Sequence, residues 1–389
     1  MHQPQRMLLY SDLPSQQIAL TLVEQEEIGA LHNVLESWNP GSRRFAKLDS
    51  LRALPGIAFL VPLLESNTNP VPLRSLFRIL CKRWQVNLLV IEYPYVEMEF
   101  WDTYASFHSR SFLPHPKVCW RVHFFKSSGS NNARLIEDIR AGATQDDLVA
   151  SGFEYLGFTT LRPTPSFNLG RTALRFDEKT GRKRGLTEGG TEGDAIEFDG
   201  KRFCKGKSVQ VANACATKLE VDAVPYLQQD PVAGMCATAS LWVASQVLAA
   251  KFELHKFPYL QITRQAEVSS GRVLPPDEAD NVQFPHGLSV REICAVITRT
   301  GAVPLVVRPR SSGDPSAQMR DVLYTFVESE LPVVLCCEKL GRAGHAVVTA
   351  GHALPPPTWK QWDARSQSMQ HVYAKASPNQ FLISQAVTR

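Results

Sequence analysis

The chain has 389 residues and 43.4 kDa, with 42 Lys and Arg against 38 Asp and Glu. A net charge of +4 over this length gives no support for a nucleic-acid-binding surface, and no apolar run nears the ~20 residues of a membrane helix, so no membrane partner is expected. The 44% hydrophobic and 21% charged residues are ordinary for a folded protein, and the length predicts two domains, residues 1–215 and 216–389.

The first domain reads as mixed α/β. "SQQIALTLVEQEEIGALHNVLESW" at 15 to 38 has apolar residues at helical spacing and is stopped by Asn39-Pro40-Gly41. "GIAFLVPLL" at 56 to 64 is short and broken by Pro62. "LRSLFRILCKRWQ" at 73 to 85 predicts a second amphipathic helix, and "VNLLVIEYPYV" at 86 to 96 a buried strand. "VCWRVHFFK" at 118 to 126 alternates as a half-buried strand, and "YLGFTTLRPTPSFNLGRTALRF" at 155 to 176 holds two β-rich runs around a Pro/Asn/Gly loop. The aromatics of "FWDTYASFHSRSFLPHP" read as core.

"DEKTGRKRGLTEGGTEGD" at 177 to 194 has the composition of an exposed, mobile loop, and its Arg182-Lys183-Arg184 run that of a solvated one. Asp199-Gly200 then signals a hairpin. "SVQVANACATKLEVDAVPYL" stays β-like to residue 227, with Glu220 and Asp222 on a solvent face.

From Cys236 the pattern changes. "CATASLWVASQVLAAKF" lacks Gly and Pro and predicts a helix buried on several sides. "SVREICAVITRT" predicts a helix with an S-x-x-E capping box at Ser289 and Glu292 and a stop at Gly301. Then come a strand at 302 to 307, a helix at 316 to 330, a strand at 332 to 338 with Cys336 and Cys337 in its core, and a strand at 345 to 352. The last two are joined by a "KLGRAG" hairpin. Helices first and an antiparallel sheet afterwards make an α+β arrangement.

One constellation in this half carries chemistry. Cys236 falls in the first turn of its helix, where unpaired backbone N–H groups and the helix dipole favour a thiolate. His345 opens a strand directly after Gly344, where a ring can serve as the base for a thiol. His352, an odd number of residues further on, belongs to the opposite strand face, and His286 to a loop. Gln228 and Gln229 precede the cysteine, and Gln229 is the candidate to donate, with the Cys236 backbone N–H, into an oxyanion hole. The eight cysteines are dispersed, without disulfide spacing or a C-x-x-C pair, which predicts reduced thiols, a cytoplasmic location, and no metal or other cofactor.

"QQDPVAGMCATASLW" at 228 to 242, followed by "GHAVVTAGH" at 344 to 352, resembles the papain-like cysteine peptidase superfamily, particularly its bacterial peptidase C39-like branch. The resemblance covers about residues 225 to 355. It implies a papain-like C-terminal domain of helices packed on an antiparallel sheet, a protein or peptide substrate, and roles for Cys236 as nucleophile, His345 as general base and acid, and Gln229 as oxyanion donor. It also implies a third group that orients the histidine, for which Asp363 and Asn379 are candidates. Met235 and Ala237 flank the cysteine where that branch more often has a following Gly, and the Gln spacing is one residue longer than usual. Three functions are compatible with these residues: hydrolysis of an amide or isopeptide bond, acyl transfer by the same Cys-His pair, and a binding or scaffolding module whose catalytic residues are vestigial.

Overall fold

The computed structural model of the chain describes residues 18–37, 48–65, 71–106, 117–129, 131–164, 169–175, 182–186, 192–197, 202–228, 236–270, 287–308, 315–339, 342–353 and 380–383. It is α+β, with helices and antiparallel sheets.

Five strands, β1 (Ala19–Glu24), β2 (Leu88–Tyr95), β3 (Cys119–Ser127), β4 (Phe153–Leu161) and β5 (Leu169–Leu174), pair antiparallel in chain order. Their side chains alternate between two apolar layers. Leu89, Ile91, Val122 and Phe124 pack on one face against α1 (Gln25–Glu36), α2 (Leu48–Arg52), α3 (Val61–Glu65) and α4 (Val71–Arg83). Leu88, Val90 and Phe125 lie in the layer on the other face. Burial on both faces explains why β2 and β3 read as nearly unbroken apolar runs. Helix α5 (Met98–Ser106) follows β2, and α6 (Ala133–Ala141) and α7 (Gln145–Ala150) follow β3.

The helix expected over 15 to 38 begins instead at Gln25, because the preceding Leu20, Leu22 and Val23 are taken up by β1 pairing with β2. Glu24 N donates to the Glu27 carboxylate at 3.3 Å, capping the helix where the strand ends. Tertiary pairing here overrides a helical periodicity. Gly157 sits at φ +127, where a Cβ would fall 2.1 Å from the Ala173 carbonyl, so only glycine lets β4 approach β5 at that point.

The polar segment expected as a loop at 177 to 194 contributes two paired strands, β6 (Arg182–Leu186) and β7 (Glu192–Glu197), whose register sets Arg182 opposite Glu197. The hairpin signal at Asp199-Gly200 lies outside the described residues. Its flanking strands do not pair with one another: β7 pairs with β6, and β8 (Arg202–Cys204) joins a later sheet. Strands β9 (Ser208–Ala214) and β10 (Thr217–Ala223) form a hairpin with strict alternation, Glu220 and Asp222 outward. The inward Ala212, Ala214, Leu219, Val221 and Ala223 complete the second apolar layer with Leu135, Ile139 and Leu148 of α6 and α7. Position 215/216 is the turn of this hairpin, both strands of which pack on the first sheet.

A third apolar cluster unites α8 (Cys236–Phe252), α9 (Tyr259–Ser270) and α10 (Val290–Arg299) with a second sheet. Helix α10 has the expected cap: Ser289 Oγ accepts from Glu292 N at 3.3 Å, and Ser289 N donates to the Glu292 carboxylate at 2.7 Å. Gly301, at φ +97, ends it. After α11 (Pro315–Glu328), β11 (Val333–Lys339) pairs with β12 (Arg342–Ala353), and β12 pairs with β8 and with β13 (Gln380–Ile383). Residues 302–308 form no strand, with Val303 93% and Leu305 68% exposed. Their β-type composition finds no ladder partner among the described residues, and without one it specifies only an extended chain. Cys336 is exposed rather than core, on a strand paired on one side only among the described residues.

No helix among the described residues is long and apolar enough to cross a membrane.

Candidate functional site

The segment leading to Cys236 is laid along the edge of the first sheet. Thr172 N and Tyr226 N each donate to the other's carbonyl, at 2.9 and 2.8 Å. Gln228 N donates to Leu169 O at 3.1 Å, and Leu169 N donates to the Gln228 side-chain oxygen at 2.7 Å. Gln228 is therefore anchored on β5 by both backbone and side chain. Gln229, the expected oxyanion donor, lies outside the described residues, as do Asp363 and Asn379.

Cys236 is the first residue of α8, as its sequence predicts, and is 8% exposed. The opening of this helix is held by two hydroxyls. Thr238 lies 3.1 Å, oxygen to oxygen, from Thr263 on α9. Ser240, fully buried, donates from Oγ to the carbonyl of Ala346 on β12 at 3.0 Å. Ala346 is the residue after His345.

Thr349 of β12 pairs with Val333 of β11 on one side and with Ile383 of β13 on the other. From His345 to Val348, β12 is paired on the β11 side, and β13 covers the opposite side only from Thr349 onward. Ala346 and Val348 belong to the apolar cluster of α8. By alternation His345 shares the face of Val347, opposite to that of Ala346 and Val348. The His345 Nε2 atom is buried and has no hydrogen-bond partner among the described residues, the Cys236 thiol included. The fold thus brings the first turns of α8 against β12 beside His345, which lies inside the strand rather than opening it because pairing with β11 begins at Arg342, and no direct bond joins Nε2 to the thiol. The backbone of His352 is paired with Phe203 and Phe381.

A second polar constellation, in the first sheet, was not singled out by sequence. Glu92 on β2 receives Nε2 of His123 on β3 at 3.0 Å, Nε of Arg121, and the backbone N–H of Cys215 at 3.2 Å. His123 Nδ1 lies 3.2 Å from the Tyr155 hydroxyl, and Arg121 also donates to the Asn213 carbonyl while covering the Tyr95 ring at 4.1 Å. Burial pushes the Glu92 carboxyl up, but His123 and Arg121 outweigh it and hold it at about 2. Burial lowers His123 below its usual value and raises Tyr155. The set ties the sheet to the turn of the β9–β10 hairpin. Nearby, the buried Glu97 accepts from Arg162 and from the Arg171 backbone N–H. The readable signal was a charge or imidazole inside a run of apolar strand residues, as in "LLVIEY" and "CWRVHFF".

Among the described residues no group of three or more His, Cys, Asp or Glu could hold a metal ion. Comparison with protein-family models, with curated proteins and with solved structures finds no match for this chain.

Proposed function

We propose that the C-terminal region is a papain-like, C39-like hydrolase that cleaves an amide or isopeptide bond of a protein or peptide through Cys236 and His345. The observation that carries this reading is the Ser240–Ala346 hydrogen bond, which brings the helix begun by Cys236 onto the residue after His345. The Cys236 sulfur attacks the substrate carbonyl carbon while His345 takes the thiol proton. The tetrahedral oxyanion is held by the Cys236 backbone N–H and the Gln229 amide. His345 returns the proton to the leaving amine, and a thioester to Cys236 remains. Water then attacks the thioester, His345 takes its proton, and the acid product leaves with the thiol restored. We place the protein in a reducing, cytoplasmic compartment, in keeping with seven described cysteines outside any disulfide.

A peptidyl vinyl sulfone applied to the folded protein tests the reading. Modification of Cys236 that is lost in His345→Ala supports it, and a folded protein whose Cys236 stays unmodified overturns it. A second reading, a binding module without catalysis, is favoured by the alternation that sets His345 on the face away from Ala346 and Val348. Under it, Cys236→Ala leaves every biological effect intact.

A further inference from the structure

Two serines lie in α8, and they use their hydroxyls differently. Ser245 donates to the carbonyl of Trp242 in its own helix at 2.8 Å, the usual local habit of a serine in a helix. Ser240 instead reaches across to a backbone carbonyl of β12. It is 0% exposed, and its acceptor sits on the stretch of β12 paired with β11. Cys236 and Ser240 are four residues apart, so they share a helix face about one turn, or ~6 Å, from one another. On the strand side, the accepting carbonyl belongs to Ala346, one residue from His345. A hydrogen bond therefore joins the turn that carries the thiol to the backbone that carries the imidazole.

We propose that Ser240 is a positioning residue for the Cys236–His345 pair: its hydroxyl sets the height of the first turns of α8 on β12, and with it the approach of the thiol to the imidazole. This rests on the hydrolase reading above. Apolar contacts such as those of Ala346 and Val348 with α8 are not directional and permit a helix to slide along a sheet, whereas a hydrogen bond of 3.0 Å to a backbone oxygen permits it very little.

The experiment measures alkylation of Cys236 by iodoacetamide between pH 5 and 9 in the full chain, read by mass spectrometry on the Cys236 peptide, with exposed Cys336 as internal reference. His345→Ala is expected to lower the Cys236 rate at pH 6.5 by about tenfold or more, the loss of an activating base. Ser240→Ala is expected to lower it by about tenfold with a changed pH profile, since a small misplacement of reacting groups costs rate steeply. Ser240→Thr, which keeps the hydroxyl, is expected to keep the wild-type profile, and Ser245→Ala to leave it unchanged. If Ser240→Ala loses its cooperative thermal transition, Ser240→Val and Ser240→Thr, equal in shape, isolate the hydroxyl between them. A wild-type profile in Ser240→Ala or Ser240→Val, alongside a suppressed His345→Ala, overturns the positioning role and leaves the hydrolase reading standing. Unchanged alkylation in His345→Ala overturns the hydrolase reading, and the positioning role falls with it.

Discussion

Two histidines on two sheets show how differently one side chain can be placed. His123 is completely buried in the first sheet, with one ring nitrogen on Glu92 and the other at the Tyr155 hydroxyl. His345, at the start of its strand's regular pairing, has a buried Nε2 with no hydrogen-bond partner. The His123 imidazole is bonded at both nitrogens inside a buried network, and its removal would open a hole in that network. A buried nitrogen without a partner costs the fold stability, and such a cost is commonly found where function needs the group. His123 therefore spends both ring nitrogens on cohesion, while His345 Nε2 has no partner among the described residues.

The sharpest way to break this contrast is to remove Glu92. Glu92→Ala leaves the Arg121 cation and His123 without their shared partner in a buried site, and is expected to lower the unfolding free energy by about 3–5 kcal/mol in urea titrations. His345→Ala is expected to change it by less than ~1 kcal/mol, because no bond to Nε2 is lost. Comparable losses in the two variants would erase the distinction.

Acid gives a graded version of the same test. His123 has a folded pKa below its ordinary 6.5, so the unfolded chain takes up that proton first and stability starts to fall as the pH drops below about 6.5. Glu92, held at about 2 against an ordinary 4.5, contributes stability that is complete above 4.5 and is lost as the pH falls toward 2, on the order of 3 kcal/mol in all. Thermal unfolding followed from pH 7.5 to 3 should show both phases in the wild type. The upper one should be missing in His123→Phe, and persistence of that phase would assign it to another group.

The smallest effects belong to the serines of α8. Ser240→Ala removes the hydroxyl that donates to the Ala346 carbonyl and is expected to cost about 1 kcal/mol or more. Ser245→Ala loses only a bond within its own helix turn and is expected to cost less than ~1 kcal/mol, or to stabilise slightly through the higher helix propensity of alanine. Equal costs for the two would mean that the bond to β12 is no stronger a tether than the local one.

Several elements of this chain were legible because their signals are local. Helix α8 starts at Cys236 because it opens a run of seventeen helical residues without Gly or Pro, and α10 starts after Ser289 because its capping box satisfies the first backbone donors within four residues. Strands β9 and β10 alternate cleanly because one of their faces meets solvent. By contrast, nothing local separates β1 from the helix that follows it, or tells residues 302–307, which look like a strand, that no ladder awaits them. Those outcomes depend on which strand lies alongside. The same holds for the candidate site. Sequence marks Cys236 and His345 as suitable types at suitable element starts, but it holds no information on Ser240 reaching Ala346, a contact between residues separated by more than a hundred positions.

The sequence alone determined which segments carry apolar periodicity, caps and stops, since these reflect the energy of a residue against its near neighbours. Tertiary structure alone decided which charges became buried and paired, which strand α8 packs on, and that His123 is bonded at both nitrogens while His345 Nε2 has no partner among the described residues. Burial and long-range hydrogen bonding are properties of pairs brought together by the fold, and a side chain's role follows from its partner as much as from its type.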